Sequence, residues 1–274
     1  MYNGLARVSS YTRAMATDAH AASEFYASAQ GGVVARLLRA RLLGFWPAEE
    51  ARGALILGLG YAAPYLRLWR EGARCIAAVP AQIGAVPWPA GGPGLSCTVE
   101  EEELPFADLS CDRVLLIHGL EAAENVRRLL REVWRVLKDD GRLLVVAPNR
   151  VGMWAHVEAT PFGQGEPYSP GQIGRLLASS LFHVTRRDTA LYLPPWRWRV
   201  LLRAAPLIEG AGRRVAPRFA GLTLSEAVKD VYAAIPNRPA HRRRLVLASA
   251  AMSRTGQERG KLARGAWSTK FDKI

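Results

Sequence analysis

The chain has 274 residues, 49% of them hydrophobic and 22% charged, ordinary globular usage that excludes disorder throughout. Its three cysteines, Cys75, Cys97 and Cys111, form no C-x-x-C pair, so no disulfide scaffold and no metal site is expected, and a cytoplasmic location is. The net charge of +13 is lopsided: residues 197–274 hold 17 Lys and Arg against 5 Asp and Glu, so the body is nearly neutral and the carboxyl third basic.

No apolar run reaches the roughly 18–20 residues of a membrane span. Residues 1–30 lack the apolar core of a signal peptide, so none is expected. Ala21 to Phe45 is predicted helical, because Val34, Leu38 and Leu42 recur at helical steps and Pro47 marks the end. Ala54 to Leu57, closed by Gly58, reads as a buried strand, followed by a helix over Ala62 to Arg70. Arg74 to Val79 and Leu95 to Val99 are the next strands, separated by a loop with four prolines. Asp112 to His118 is a strong strand, and Glu121 to Lys138 is a helix with Val126, Leu129, Leu130, Val133, Trp134 and Leu137 on one face. Asp139-Asp140-Gly141 is expected to end it, before a strand over Arg142 to Ala147. Ser169 opens a further helix with Gln172 three residues on. His183 to Leu193 and Leu222 to Tyr232 have strand character, and Trp196 to Val215 between them is expected to be helical in part. Strands alternating with helices predict an α/β fold with a mostly parallel sheet covered on both faces. Ligands of such sheets bind beyond the carboxyl ends of the strands.

Gly58-Leu59-Gly60 follows the first strand and precedes a helix, where glycines let the backbone turn sharply and approach a ligand. With Ala63 it meets the loose dinucleotide fingerprint, but Val79 stands where a nicotinamide enzyme wants an acid. The block Leu104-Pro105-Phe106-Ala107-Asp108-Leu109-Ser110-Cys111-Asp112 runs into Ile117-His118-Gly119-Leu120-Glu121, and then into Arg135-Val136-Leu137-Lys138-Asp139-Asp140-Gly141. In order and spacing, over residues 53–147, it resembles class I S-adenosylmethionine-dependent methyltransferases of the type 11 group.

That resemblance implies a Rossmann-like seven-stranded sheet ending in an antiparallel hairpin, with S-adenosylmethionine as cofactor. It implies a helical cap over residues 1–50, the methyltransferase-like domain over 51–235 and a basic, partly disordered tail over 236–274. Gly58, Gly60 and Tyr61 would cradle the amino-acid part of the cofactor, and Glu100 would lie near the adenine. The group usually carries acids at positions 56 and 79, where this chain has Ile56 and Val79, and a third glycine where it has Ala62. Gln82 is the expected substitute at the ribose, with Glu100 to Glu103 offering carboxylates nearby. His118, at the carboxyl end of the fourth strand, would face the methyl group or its acceptor, as a base where the acceptor is an oxygen.

The loop after the fifth strand overhangs the acceptor side of such a fold, which makes Asn149, Trp154, His156, Glu158 and Tyr168 the acceptor-pocket candidates. Tyr26, in a segment broken by Gly31 and Gly32, would cap the cofactor or join the core. The expected function is methyl transfer to a small or lipid-like acceptor; the missing acids leave a noncatalytic binding or scaffolding role as the alternative. The basic carboxyl third could meet anionic partners. Trp196-Arg197-Trp198-Arg199-Val200-Leu201-Leu202-Arg203 has the composition of an interfacial helix, so peripheral membrane contact is possible for it. Only Trp267 and Phe271 lie among the tail's charges as stacking platforms, so nucleic acid is not expected.

Overall fold

The computed structural model describes residues 22–81, 88–89 and 93–230. Seven strands form one sheet: β1 (Leu55–Gly60), β2 (Arg74–Pro80), β3 (Ser96–Val99), β4 (Cys111–Ile117), β5 (Leu137–Pro148), β6 (Phe182–Ala190) and β7 (Leu222–Lys229). Their order is β3-β2-β1-β4-β5-β7-β6. The first five are parallel, and β7 is antiparallel to both β5 and β6. The expected Rossmann-like sheet with its terminal hairpin is therefore present. Strand order reverses between β1 and β4, which puts the crevice between their carboxyl ends.

The helices are α1 (Ala29–Phe45), α2 (Ala63–Leu66), α3 (Val126–Val136), α4 (Pro170–Ser179) and α5 (Arg199–Val215). On one face of the sheet Val34, Leu38, Leu42 and Trp46 pack on Ile56, Leu115, Ile117, Leu144 and Val146. On the other, Leu129, Leu130 and Val133 of α3 and Ile173 and Leu177 of α4 pack on Leu57, Leu59, Val114, Leu116 and Val145. The alternation along β4, Val114 and Leu116 to one side, Leu115 and Ile117 to the other, is the two-residue period of a strand buried on both faces.

Several elements differ from their predicted bounds. The first helix is interrupted: residues 22–27 are helical, Ser28 is not, and its hydroxyl caps the new helix by accepting from Gly31 N at 3.0 Å. A Cβ at Gly31 would collide with the Phe25 carbonyl, so glycine permits the break. The predicted helix over 62–70 shrinks to the four residues of α2. The helix predicted from Glu121 begins at Val126, where Asn125 caps it through Arg128 N, because residues 121–125 form turns. It ends at Val136 rather than at Lys138, since Leu137 leaves it to pair with Cys111. Ser169 and Gln172 form a complete capping box, each side chain accepting from the other's backbone N–H. The strand predicted to Leu193 ends at Ala190, and α5 covers more of its segment than expected. The tail over 236–274 and Gln82 lie outside the described residues.

Candidate active site

The switch point is built by two loops that touch. Gly60 has φ +82°, and any Cβ there would strike the carbonyl of Ile117, its neighbour across β1 and β4. Tyr61 N then donates to that same carbonyl at 2.8 Å. A Cβ at Gly58 would lie 2.8 Å from Leu66 Cδ1, so this glycine lets α2 settle against β1. Close packing within the chain accounts for both glycines.

His118 follows β4 with φ +54°, a left-handed conformation that a side-chain-bearing residue rarely adopts and that clusters at functional sites. Its ring is held from both sides. Nδ1 lies 3.1 Å from Glu121 Oε1 and Nε2 lies 2.8 Å from the Tyr26 hydroxyl. Tyr65 donates to Tyr26 at 3.0 Å. Tyr26 therefore has one proton left to give to Nε2, and the network assigns the other imidazole proton to Nδ1, facing the carboxylate. Burial pushes the Tyr26 phenol well above its ordinary range, with Tyr65 adding to the shift, so Tyr26 stays a donor.

Aromatic rings enclose this chain of hydrogen bonds. Phe162 lies 4.8 Å from the His118 ring, and Tyr61 stacks on Tyr26 with ring centres 5.4 Å apart and planes 9° from parallel. Phe25 meets Phe162 and Trp154 edge-on. Among these groups one polar atom has nothing to do. Glu121 is 5% exposed, and its Oε2 has no hydrogen-bond partner among the described residues. An unpaired buried acceptor costs about 1–3 kcal/mol, so such an oxygen is a place for a donor or a cation from outside the chain.

The other candidates are more scattered. Trp154 is buried and donates to Leu193 O at 2.6 Å. Asn149 spends its amide on Ala220 O and Arg218 O and accepts from Val151 N, pinning its loop to the one before β7. His156 and Glu158 are exposed. Tyr168 is half-buried, its phenol raised by burial and by nearby Glu166 and Glu121. Glu100 is exposed, bridging to Glu103 through the backbone, whereas its neighbour Glu101 is buried. Burial, opposed by a hydrogen bond from the Glu124 backbone, raises the Glu101 carboxyl to about 7. Tyr65 and Phe162 were not singled out from sequence; Glu121 entered as the end of the family-like run and Glu101 only within the carboxylates of Glu100 to Glu103. For Glu121 the signals were that run and its three-residue spacing from His118 beyond a strand.

S-adenosylmethionine can be tested against these residues group by group. Its sulfonium and ammonium are cations, and an unpartnered buried carboxylate oxygen among tyrosine and phenylalanine rings is chemistry that suits a cation. At the end of β2, by contrast, Val79 is buried in a cluster with Ala22 and Tyr61 and offers the ribose nothing. The cationic groups fit; the ribose finds no partner at Val79.

Residues 56–145 match the methyltransferase domain of the type 11 family. An uncharacterized protein of Mycobacterium tuberculosis is 30% identical over 111 residues, which are 38% of this chain and 39% of that protein. The chain thus spans about two fifths of the length of the curated relatives it matches. Among solved structures, an S-adenosylmethionine-dependent methyltransferase from Archaeoglobus fulgidus superposes with a TM-score of 0.51 at 14% identity, covering 71% of this chain and 94% of that one. One from Thermotoga maritima does so with a TM-score of 0.50 at 15% identity, covering 72% and 91%. A type 11 sequence match across β1 to β5 and the class I sheet order agree: residues 56–145 of this chain are similar to the methyltransferase-domain family, and the sheet has the class I fold.

Proposed function

We propose that the chain is an S-adenosylmethionine-dependent methyltransferase acting on a small or lipid-like acceptor at the carboxyl ends of β1 and β4. The observation that carries this reading is the unpaired Glu121 oxygen beside a strained, doubly held His118 at the switch point. The cofactor supplies a methyl group already activated on sulfur. The chain's part is to position and to move a proton. Glu121 fixes Nδ1–H and leaves Nε2 as the acceptor, and the Tyr26 hydroxyl now stands at Nε2 where an acceptor hydroxyl or amine would bind. With Tyr26 displaced, Nε2 takes the acceptor's proton while the aromatic walls exclude water. Glu121 Oε2 pairs with a cationic group of the cofactor. The cytoplasm suits the three cysteines, which are all free thiols.

Calorimetry with S-adenosylmethionine tests the reading: binding is expected, weakened about tenfold in Glu121→Gln, and no heat at millimolar ligand rejects it. His118→Ala should lower turnover about 100-fold or more with little change in cofactor affinity. A near-normal rate would remove the base role.

A further inference from the structure

We propose that the outer face of α5, led by Trp196 and Trp198, docks on the surface of an anionic phospholipid bilayer. Twelve large apolar side chains are left exposed among the described residues, and six of them fall between positions 196 and 219. Trp198 is 67% exposed, Val200 77%, Leu207 78% and Val215 84%. Val200, Leu207 and Val215 recur on one side of the helix, opposite Ala205 and Glu209, which are buried. Just before the helix, Trp196 and Trp198 lie side by side with ring centres 5.5 Å apart. Water is a poor solvent for such a stripe, and a patch of this kind marks a contact surface.

Charge says what the contact is. The one acidic residue of α5, Glu209, points inward and accepts from Leu191 N, Tyr192 N and Arg41. The outward face keeps only cations. Arg199, Arg203 and Arg214 form no ion pair with the described residues, and Arg197 and Arg218 flank the helix. Beside α5 runs a groove of about 430 Å³, floored by Val33 and Leu37 of α1 and Leu202 and Pro206 of α5, with Arg36 and Arg203 also lining it.

Indoles at an interface, aliphatic side chains beneath them and guanidiniums at phosphate height are the three things an interfacial helix needs. A second copy of the chain would set arginine against arginine across a two-fold axis. Nucleic acid would use the arginines and indoles but leave Val200, Leu207 and Val215 in water. No helix among the described residues is long and apolar enough to cross a membrane, so the contact is peripheral. The inference stands apart from the methyltransferase reading.

Flotation of the full chain with vesicles tests it. Phosphatidylcholine and phosphatidylserine mixed roughly 3:1 should carry the protein, phosphatidylcholine alone at least about tenfold less, and added salt should release it. Trp196→Ala with Trp198→Ala, and separately Arg199→Glu with Arg203→Glu, should each lower binding about tenfold or more, with circular dichroism unchanged. These side chains are exposed, so the fold does not depend on them. Absence of flotation, equal flotation on both vesicles, or full binding by both variants would overturn the proposal. So would self-association, or duplex DNA binding without vesicle binding, that the same substitutions abolish.

Discussion

At the amino ends of the central strands, partly exposed charges tie the chain together. Asp112 accepts from Leu55 N at 2.8 Å and from Lys138 at 2.6 Å, joining β1, β4 and the start of β5. Arg135 donates to the carbonyls of Leu104 and Phe106, each at 2.8 Å, and to Asp108, while Glu132 takes Leu104 N. At the carboxyl ends of the same strands the ties are buried and aromatic: Tyr65, Tyr26, His118 and Glu121 in one chain of hydrogen bonds. The comparison separates two kinds of likeness. Two of the blocks that carry the family resemblance, Leu104 to Asp112 and Arg135 to Lys138, hold the fold, and the third, Ile117 to Glu121, reaches the candidate site. The other groups of the candidate site, Tyr61 and the segment around Tyr26, lie outside those blocks.

Substitutions can sharpen that contrast. The largest effect is expected at the seam between the two ends: Gly60→Ala forces a side chain onto the Ile117 carbonyl at a left-handed φ. It should cost about 4 kcal/mol or prevent soluble folding, read as a fall in the urea midpoint. A midpoint within about 1 kcal/mol of the parent would show that the strands can part there.

Arg135→Ala should come next, at about 2–3 kcal/mol, through lost charge-assisted hydrogen bonds to the 104–108 loop. The hydrogen bonds from Arg135 hold the Glu132 carboxyl below its usual range, with Leu104 N adding to the effect. Its contribution is therefore present above the unfolded pKa, near 4.5, and is lost as pH falls through the lower folded value. In Arg135→Ala this acid-side loss should flatten. An unchanged acid limb would assign the clamp no stabilising role.

The smallest effect is expected at Glu101, whose carboxyl is raised to about 7. A raised acid stabilises fully below its unfolded value and loses that contribution as pH climbs through the folded one. Glu101→Gln should be more stable than the parent at pH 8, by about 1 kcal/mol, with the gain gone near pH 4. A gain that persists at pH 4 would place its origin outside the titration.

The doubly apolar strands were legible in the chain because they reflect local physics, a period of two, and the Leu-Pro-Phe run because it resembles a family motif. The mostly parallel sheet followed from the strands, and the terminal hairpin from the family resemblance. The break beside Gly31 was legible as a disruption of the helical pattern, whereas that at Leu137 was not, since it depends on pairing with distant Cys111. The same holds for the active site. Glycines 58 and 60 were readable as a turn, but their collisions with Leu66 and Ile117 were not.

Residue order alone decided that this chain makes a covered, mostly parallel sheet, because burial and strand period act between neighbours along the chain. Tertiary structure alone decided which side chains arrive at the carboxyl ends of its strands. Tyr26 and His118 meet across 92 positions, and Glu121 keeps one oxygen unpaired. Only the folded packing could also send Glu209 inward and leave the indoles and arginines of α5 facing out, since that choice depends on what each face of the helix meets.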